Sequence, residues 1–205
     1  VQAAHAAGVP AVVITFHPHP AVLLRGITGP FYLTSPEDRA ALIADLGADH
    51  IIILPFDHQL AQKSAHNFMK ECVEALGMRQ LWAGFDFKLG KDREGTPVRL
   101  AEIGQQLGYN IHTLPPFELQ GQTVSSSLIR QLLSRGDVGL AATLLGRYYH
   151  LEGEVVHGEG RGKQIGIPTA NLQISTDRLL PMRAVYATLA WLGDRSYQSV
   201  TNIGF

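Results

Sequence analysis

The chain is 205 residues long, 45% hydrophobic and 17% charged, with a formal net charge of −1. That balance excludes a disordered chain and, with no run of Lys or Arg, a broad electrostatic footprint for nucleic acid or an anionic membrane, so a nucleotide is a better partner than a polynucleotide. The single cysteine, Cys72, excludes an intramolecular disulfide and a thiolate zinc cluster and suits a reducing cytoplasm, and no apolar run reaches the roughly 18 residues that a spanning helix needs.

Gln2 to Ala7 reads as the end of a helix closed by Gly8, and Val9 to Phe16 as the continuous apolar run of a parallel strand covered on both faces. His17-Pro18-His19-Pro20 stops that strand in a rigid turn at its carboxyl end, where open α/β sheets place ligands. A metal held by His17 and His19 lacks a third ligand nearby, and an exposed turn is the default reading of His17. Ser35 caps a helix opened by Pro36, with Leu42, Ile43 and Leu46 as its buried face. A strand at His50 to Leu54 follows, then Asp57 and His58 in a surface turn. The helix at Ala65 to Leu76 carries Cys72 within its apolar stripe.

Leu81 to Gly84 is a short strand, and the loop from Gly84 to Gly95 holds Phe85, Phe87, Lys88, Lys91 and Arg93. Such a loop can stack a planar ring and neutralise phosphate. A helix over Val98 to Leu107 and a strand over Tyr109 to Leu114 complete a further βα repeat. The next helix runs to Arg135 and is closed by Gly136, with Leu128, Ile129, Leu132 and Leu133 on its apolar side and Arg130 on the same face as Ser126 and Ser127. Hydroxyls, free N–H groups at a helix start and a guanidinium one turn along make a phosphate site; the alternative is a multiply capped helix with a solvent-facing arginine. Asp137 to Leu145 is one more helix, and Gly146-Arg147 is the junction. Beyond it, strand-like runs at Tyr149 to His157, Val185 to Leu192 and Ser196 to Asn202 suggest a small β-barrel.

Within that half, glycines at 158, 160, 162 and 166 let backbone N–H groups turn inward around an anion, and Lys163 adds a positive charge. Gln164 stands where a P-loop carries the magnesium-binding hydroxyl, and Ile165-Gly166-Ile167-Pro168 argues for an extended path instead of a helix. Thr169 and Asn171, two apart, face one side of an extended segment and offer a hydroxyl and an amide oxygen to a hard cation. A glycine-rich hairpin with a solvated tip is the competing reading.

Pro168-Thr169-Ala170-Asn171, with V-x-H-G before it, Ala184-Val185-Tyr186-Ala187 after it and then Asn202-Ile203-Gly204, resembles the riboflavin kinase module of the bacterial bifunctional riboflavin kinase/FAD synthetases. The resemblance extends upstream through Thr15 to Pro20, the Gly84 to Gly95 loop and Val124 to Arg130. It implies an α/β chain: a Rossmann-like nucleotidyltransferase domain with a parallel sheet over residues 1–146, then a partial antiparallel β-barrel riboflavin kinase domain over 147–205. It further implies phosphorylation of riboflavin to FMN and adenylylation of FMN to FAD, with ATP, riboflavin and FMN as small-molecule substrates and Mg2+ as cofactor.

On the same resemblance His19 faces the nucleotide phosphates, Asp86 and Phe87 help to hold flavin and nucleotide, and Ser126, Ser127 and Arg130 grasp the triphosphate. Gly158, Gly162 and Lys163 line the kinase phosphate loop, while Thr169 and Asn171 take Mg2+ and phosphate. Leu89 replaces a second aromatic, Ala184 replaces a glycine, and Lys163 stands where arginine is frequent. The family's first strand with its H-x-G-H-type motif is expected before Val1 and the kinase base after Phe205. The 205 residues by themselves are therefore expected to turn over neither reaction and to leave two strand edges unpaired. A protein with only one of the two activities, and a non-catalytic flavin or nucleotide sensor, are the other readings.

Overall fold

Two compact units divide the chain, Val1–Ile27 with Ala40–Thr123, and Thr28–Arg39 with Val124–Phe205. A computed structural model describes residues 1–157 and 169–204 of this mixed α/β protein.

The first unit begins with α1 (Gln2–Ala6) and β1 (Val12–His17), followed by α2 (Pro20–Arg25). α3 (Pro36–Asp45) spans the boundary between the units at residues 39 and 40. It opens on a reciprocal cap, with Ser35 Oγ accepting from Asp38 N at 2.9 Å and Asp38 Oδ2 accepting from Ser35 N at 3.4 Å. β2 (His50–Pro55), α4 (His58–Ala61), α5 (Ala65–Leu76), β3 (Gln80–Gly84), α6 (Pro97–Leu107) and β4 (Asn110–Leu114) complete the unit, with a two-residue hairpin of β5 (Glu118–Leu119) and β6 (Gln122–Thr123) at its end. β1 pairs parallel with β2 and β3 parallel with β4, as the α-helical crossovers require. These are separate two-stranded sheets: among the described residues no ladder joins one pair to the other.

Asp49 ties the start of β1 to the start of β2. Its Oδ2 accepts from Ala11 N at 2.7 Å and lies 2.8 Å from His5 Nε2, while Asp49 N donates to Ala11 O at 3.0 Å. The Ala11 hydrogen bond, with help from His5, holds the Asp49 carboxyl below the usual carboxylate range. The core lies further along, where Leu100 and Ile103 of α6 are wholly buried with Ala65 and Met69 of α5 and with Tyr109. Tyr109 buries a polar atom there and satisfies it, its hydroxyl donating to Leu100 O at 2.8 Å. Burial pushes its pKa up to about 12. Cys72 is buried in the same helix face and burial pushes its thiol up, so it serves as packing. Gly104 permits the close approach of α6 to the following turn, because a Cβ there would stand 2.5 Å from Tyr109 O.

In the second unit α7 (Ser126–Ser134) packs against α8 (Val138–Leu145) through Ile129, Leu132, Leu133, Ala141 and Leu144. Met182 N donates to Leu133 O at 2.8 Å, and Gly136 lies against Met182 and Tyr186. Those contacts group residues 124–146 with the β-rich half, a partition by packing that differs from a cut at Gly146. β7 (Glu154–Val156) pairs antiparallel with β8 (Asn171–Gln173), and β9 (Ala184–Leu192) with β10 (Arg195–Ile203). Among the described residues these remain two separate ladders and no closed barrel forms.

Two local expectations are corrected. Leu46 is 76% exposed and α3 buries no residue fully, so of the expected face only Leu42 and Ile43 are half-buried. The expected strand from Tyr149 shrinks to β7, because Tyr149 is held through its hydroxyl to Leu179 O at 2.6 Å and His150 through its carbonyl to Arg178 Nη2 at 2.8 Å.

Leu100→Ala should lower stability by about 2–5 kcal/mol, read as a reduced urea midpoint at unchanged m-value, because a fully buried side chain leaves a cavity among fixed neighbours. Asp49 contributes stability that is present above its unfolded pKa and lost as pH falls through its lower folded value. In thermal melts below about pH 4 the Asp49→Asn variant should therefore lose less of its remaining stability on acidification than the parent does.

Candidate functional site at the start of α7

Ser125 stands in extended conformation (φ −146°, ψ 153°) as the N-cap of α7, its Oγ accepting from Leu128 N at 3.2 Å. A helix start leaves its first N–H groups without internal partners, and this one places the exposed Ser126 and Ser127 there. Ile129, Leu132 and Leu133 face inward and fix the helix, which sets the direction of Arg130.

Arg130 is not a solvent-facing side chain. It is half-buried, its Nε donates to Phe31 O at 2.8 Å, and its Cζ lies 4.0 Å from the centroid of the Phe31 ring. Burial lowers its pKa from the usual guanidinium value, yet a guanidinium stays charged in any ordinary environment. Phe31 is itself held from the backbone, since Phe31 N and Tyr32 N both donate to Asp177 O, at 2.7 and 2.9 Å. Leu179 N returns a bond to Tyr32 O at 2.9 Å. Arg178, 6% exposed, lies between these bonds, with Nη2 donating to His150 O at 2.8 Å and standing 3.4 Å from Asp38 Oδ2. Asp38, His150 and Glu152 each bring one ligand atom within 4.8 Å of the others, but the Arg178 charge opposes a cation there, and the ion pair accounts for Asp38.

Thr169 and Asn171 are exposed in the same unit, Asn171 opening β8 opposite Val156 and Thr169 preceding the strand. Their hydroxyl and amide oxygens are neutral hard donors, the kind that fits a Mg2+ ion arriving with its own phosphate ligands. Gly158, Gly162 and Lys163 lie outside the described residues.

The remaining expected site residues belong to the first unit. His19 is the N-cap of α2, and its Nδ1 accepts from Ala21 N at 3.1 Å, which assigns the ring proton to Nε2. His17 is the last residue of β1, half-buried and paired with Pro55, so it is not an exposed turn residue. Asp86 is exposed in the turn after β3, whereas Phe87 is half-buried against the α5/α6 core. Leu89, where a second aromatic was expected, packs on that core as well and bridges to Gly95. Gly90 and Gly95 fit closely against Ala65, and Glu94 Oε1 accepts from Ala65 N at 2.8 Å. The loop is thereby pinned to the start of α5, with Lys88, Lys91 and Arg93 exposed on it.

The structure thus gathers Ser126, Ser127 and Arg130 on one helix end, and adds Phe31, Tyr32, Asp177 and Arg178, which sequence reasoning missed. No local signal marks them, because their partners lie far away in the chain, as with Phe31 and Arg130, 99 positions apart.

Among the described residues, no helix is long and apolar enough to cross a membrane. Residues 1–128 match the family model described as FAD synthetase, and residues 145–205 match that described as riboflavin kinase. The chain is 35% identical over 206 residues to a bifunctional riboflavin kinase/FMN adenylyltransferase of Bacillus subtilis, the match covering 100% of the chain and 65% of the relative. With the protein of that description from Escherichia coli K12 the identity is 34% over 197 residues, covering 95% of the chain and 63% of the relative. The chain therefore spans a little under two thirds of the length of these relatives. A crystal structure described as a macrolide-efflux protein from Streptococcus pneumoniae superposes with a TM-score of 0.86 at 29% identity, covering 99% of this chain and 66% of that one.

Proposed function

The chain belongs to the FAD synthetase family, and we propose that it serves FAD biosynthesis, phosphorylating riboflavin to FMN and then adenylylating FMN to FAD. The observation that carries this reading is the tandem order of the two family matches, FAD synthetase over 1–128 and riboflavin kinase over 145–205. The efflux description of the pneumococcal structure is not carried over, because the likeness to it runs through the same residues that the two enzyme families match.

In this reading residues 1–146 form a Rossmann-like adenylylating domain, and residues 147–205 form the kinase domain, with β7 to β10 as part of an antiparallel β-barrel. Both steps occur in the cytoplasm on small-molecule substrates. In the kinase step the 5′-hydroxyl of riboflavin displaces ADP from the γ-phosphorus of ATP. Thr169 and Asn171 would hold Mg2+ and phosphate oxygens, and Gly158, Gly162 and Lys163, outside the described residues, would supply the phosphate loop. When bound, Mg2+ neutralises phosphate charge and orients the triphosphate.

In the adenylylation step a phosphate oxygen of FMN forms a bond to the α-phosphorus of a second ATP as pyrophosphate leaves. Little covalent work falls to the protein, so alignment and charge neutralisation dominate. Ser126 and Ser127 offer hydroxyls and N–H groups at the positive end of α7, and Arg130 offers its terminal nitrogens. His19 presents the Nε2 proton to a phosphate oxygen, an orientation supported by its Nδ1 cap on Ala21. Asp86 contacts flavin or nucleotide from its exposed turn, and Phe87 contributes through the half-buried ring that anchors the same loop.

Chromatographic separation of flavins after the complete protein carrying this chain is incubated with riboflavin, ATP and Mg2+ should show FMN and then FAD. Asn171→Ala should slow FMN formation by about 100-fold, yet leave conversion of supplied FMN to FAD within a factor of two. FMN as the final product would remove the adenylylation half of the proposal, and absence of both products would remove all of it.

A further inference from the structure

A guanidinium that must grip a phosphate group has to be held without spending the nitrogens that do the gripping. Arg130 meets that requirement through one residue. Its Nε, the nitrogen nearest the stem, donates to Phe31 O at 2.8 Å, and its planar head lies 4.0 Å over the Phe31 ring. That bond uses Nε and involves neither Nη atom. The half-burial of Arg130 costs hydration, which the ring face and the carbonyl offset.

Phe31 is in turn fixed independently of Arg130. Its own N–H and that of Tyr32 converge on the Asp177 carbonyl, and its ring meets the Tyr32 ring edge-on at 5.4 Å and 87°. Tyr32 is 8% exposed, and Leu179 N closes the strand-like contact on Tyr32 O. A platform anchored by three backbone hydrogen bonds keeps its ring in place whether or not a ligand is present, so the arginine is oriented before the nucleotide arrives.

We infer that Phe31 is a positioning residue for adenylyl transfer, its ring and carbonyl presenting the two terminal nitrogens of Arg130 to the ATP triphosphate. The inference rests on the reading that Arg130 binds that triphosphate. Phe31 touches no reacting atom; it acts through Arg130 alone. A ring of similar shape serves equally, and an aliphatic or small side chain does not.

The test is the ATP dependence of FMN adenylylation in the complete protein for the parent, Phe31→Ala, Phe31→Tyr, Arg130→Ala and the Phe31→Ala/Arg130→Ala double variant, with riboflavin phosphorylation measured alongside. Phe31→Ala should raise the KM for ATP in adenylylation roughly tenfold and change riboflavin phosphorylation less than twofold. Phe31→Tyr should restore the parental KM, and Phe31→Ala should add less than twofold to the Arg130→Ala defect. A parental KM in Phe31→Ala overturns the inference, as does a full tenfold loss added on top of Arg130→Ala. Parallel loss of both activities with a lowered Tm in Phe31→Ala, uncorrected by Phe31→Tyr, also overturns it, in favour of a structural role. Parental adenylylation in Arg130→Ala overturns the reading of Arg130 itself and the inference with it.

Discussion

The carbonyl of Asp177 accepts two neighbouring backbone N–H groups, those of Phe31 and Tyr32, and much of the second unit is arranged by that one junction. It holds a segment from the early part of the chain against a segment that follows β8. Once Phe31 is fixed, its carbonyl and ring fix Arg130, and α7 carries Ser126 and Ser127 in register with that arginine. Arg178, next along from Asp177, closes the other side by holding the His150 carbonyl and standing beside Asp38. A buried guanidinium is tolerable there because a carboxylate and a carbonyl replace part of its lost hydration.

The first unit achieves the same end by close packing. Its chemistry-bearing loop, from Gly84 to Gly95, gains shape because glycines at 90 and 95 lie where a Cβ would meet Ala65, and because Glu94 caps the N–H of Ala65. Two partly buried side chains of that loop, Phe87 and Leu89, are absorbed into the α5/α6 core, which leaves Asp86 and the basic residues outside. The loop is thus a rigid platform with a polar surface.

Local signals in the sequence suffice wherever the physics is local. α5 begins and ends where its Ser64 cap and Gly77 place it, and the φ of Gly77, +61°, is the left-handed conformation that glycine adopts at little cost. Parallel strands β2, β3 and β4 follow their apolar runs to within a residue or two at each end. A helical period puts Leu46 beside Leu42 and Ile43, but burial is decided by what packs against the helix end, and Leu46 is exposed there. Tyr149 has the composition of a strand residue, but its contact to Leu179 and that of His150 to Arg178 set its conformation instead of a ladder. At the site, the motif residues were visible as chemistry, but Phe31 carries no motif signal: its role depends on a partner 99 residues away.

Because Thr28–Arg39 packs with residues that follow Val124, the chain passes from one unit to the other three times. During synthesis the Phe31 and Tyr32 N–H groups therefore emerge about 150 residues before the carbonyl that will accept them, a delay of roughly 7–30 seconds at ordinary elongation rates. The early half can build its βαβ units from neighbouring segments as they appear, whereas Arg130 acquires its Phe31 platform only once the segment that follows β8, with Asp177 and Leu179, has been made. Anchoring of Arg130 is thus a late event in the life of the nascent chain, and a polypeptide that ends before Asp177 lacks the carbonyl on which the Phe31 platform rests.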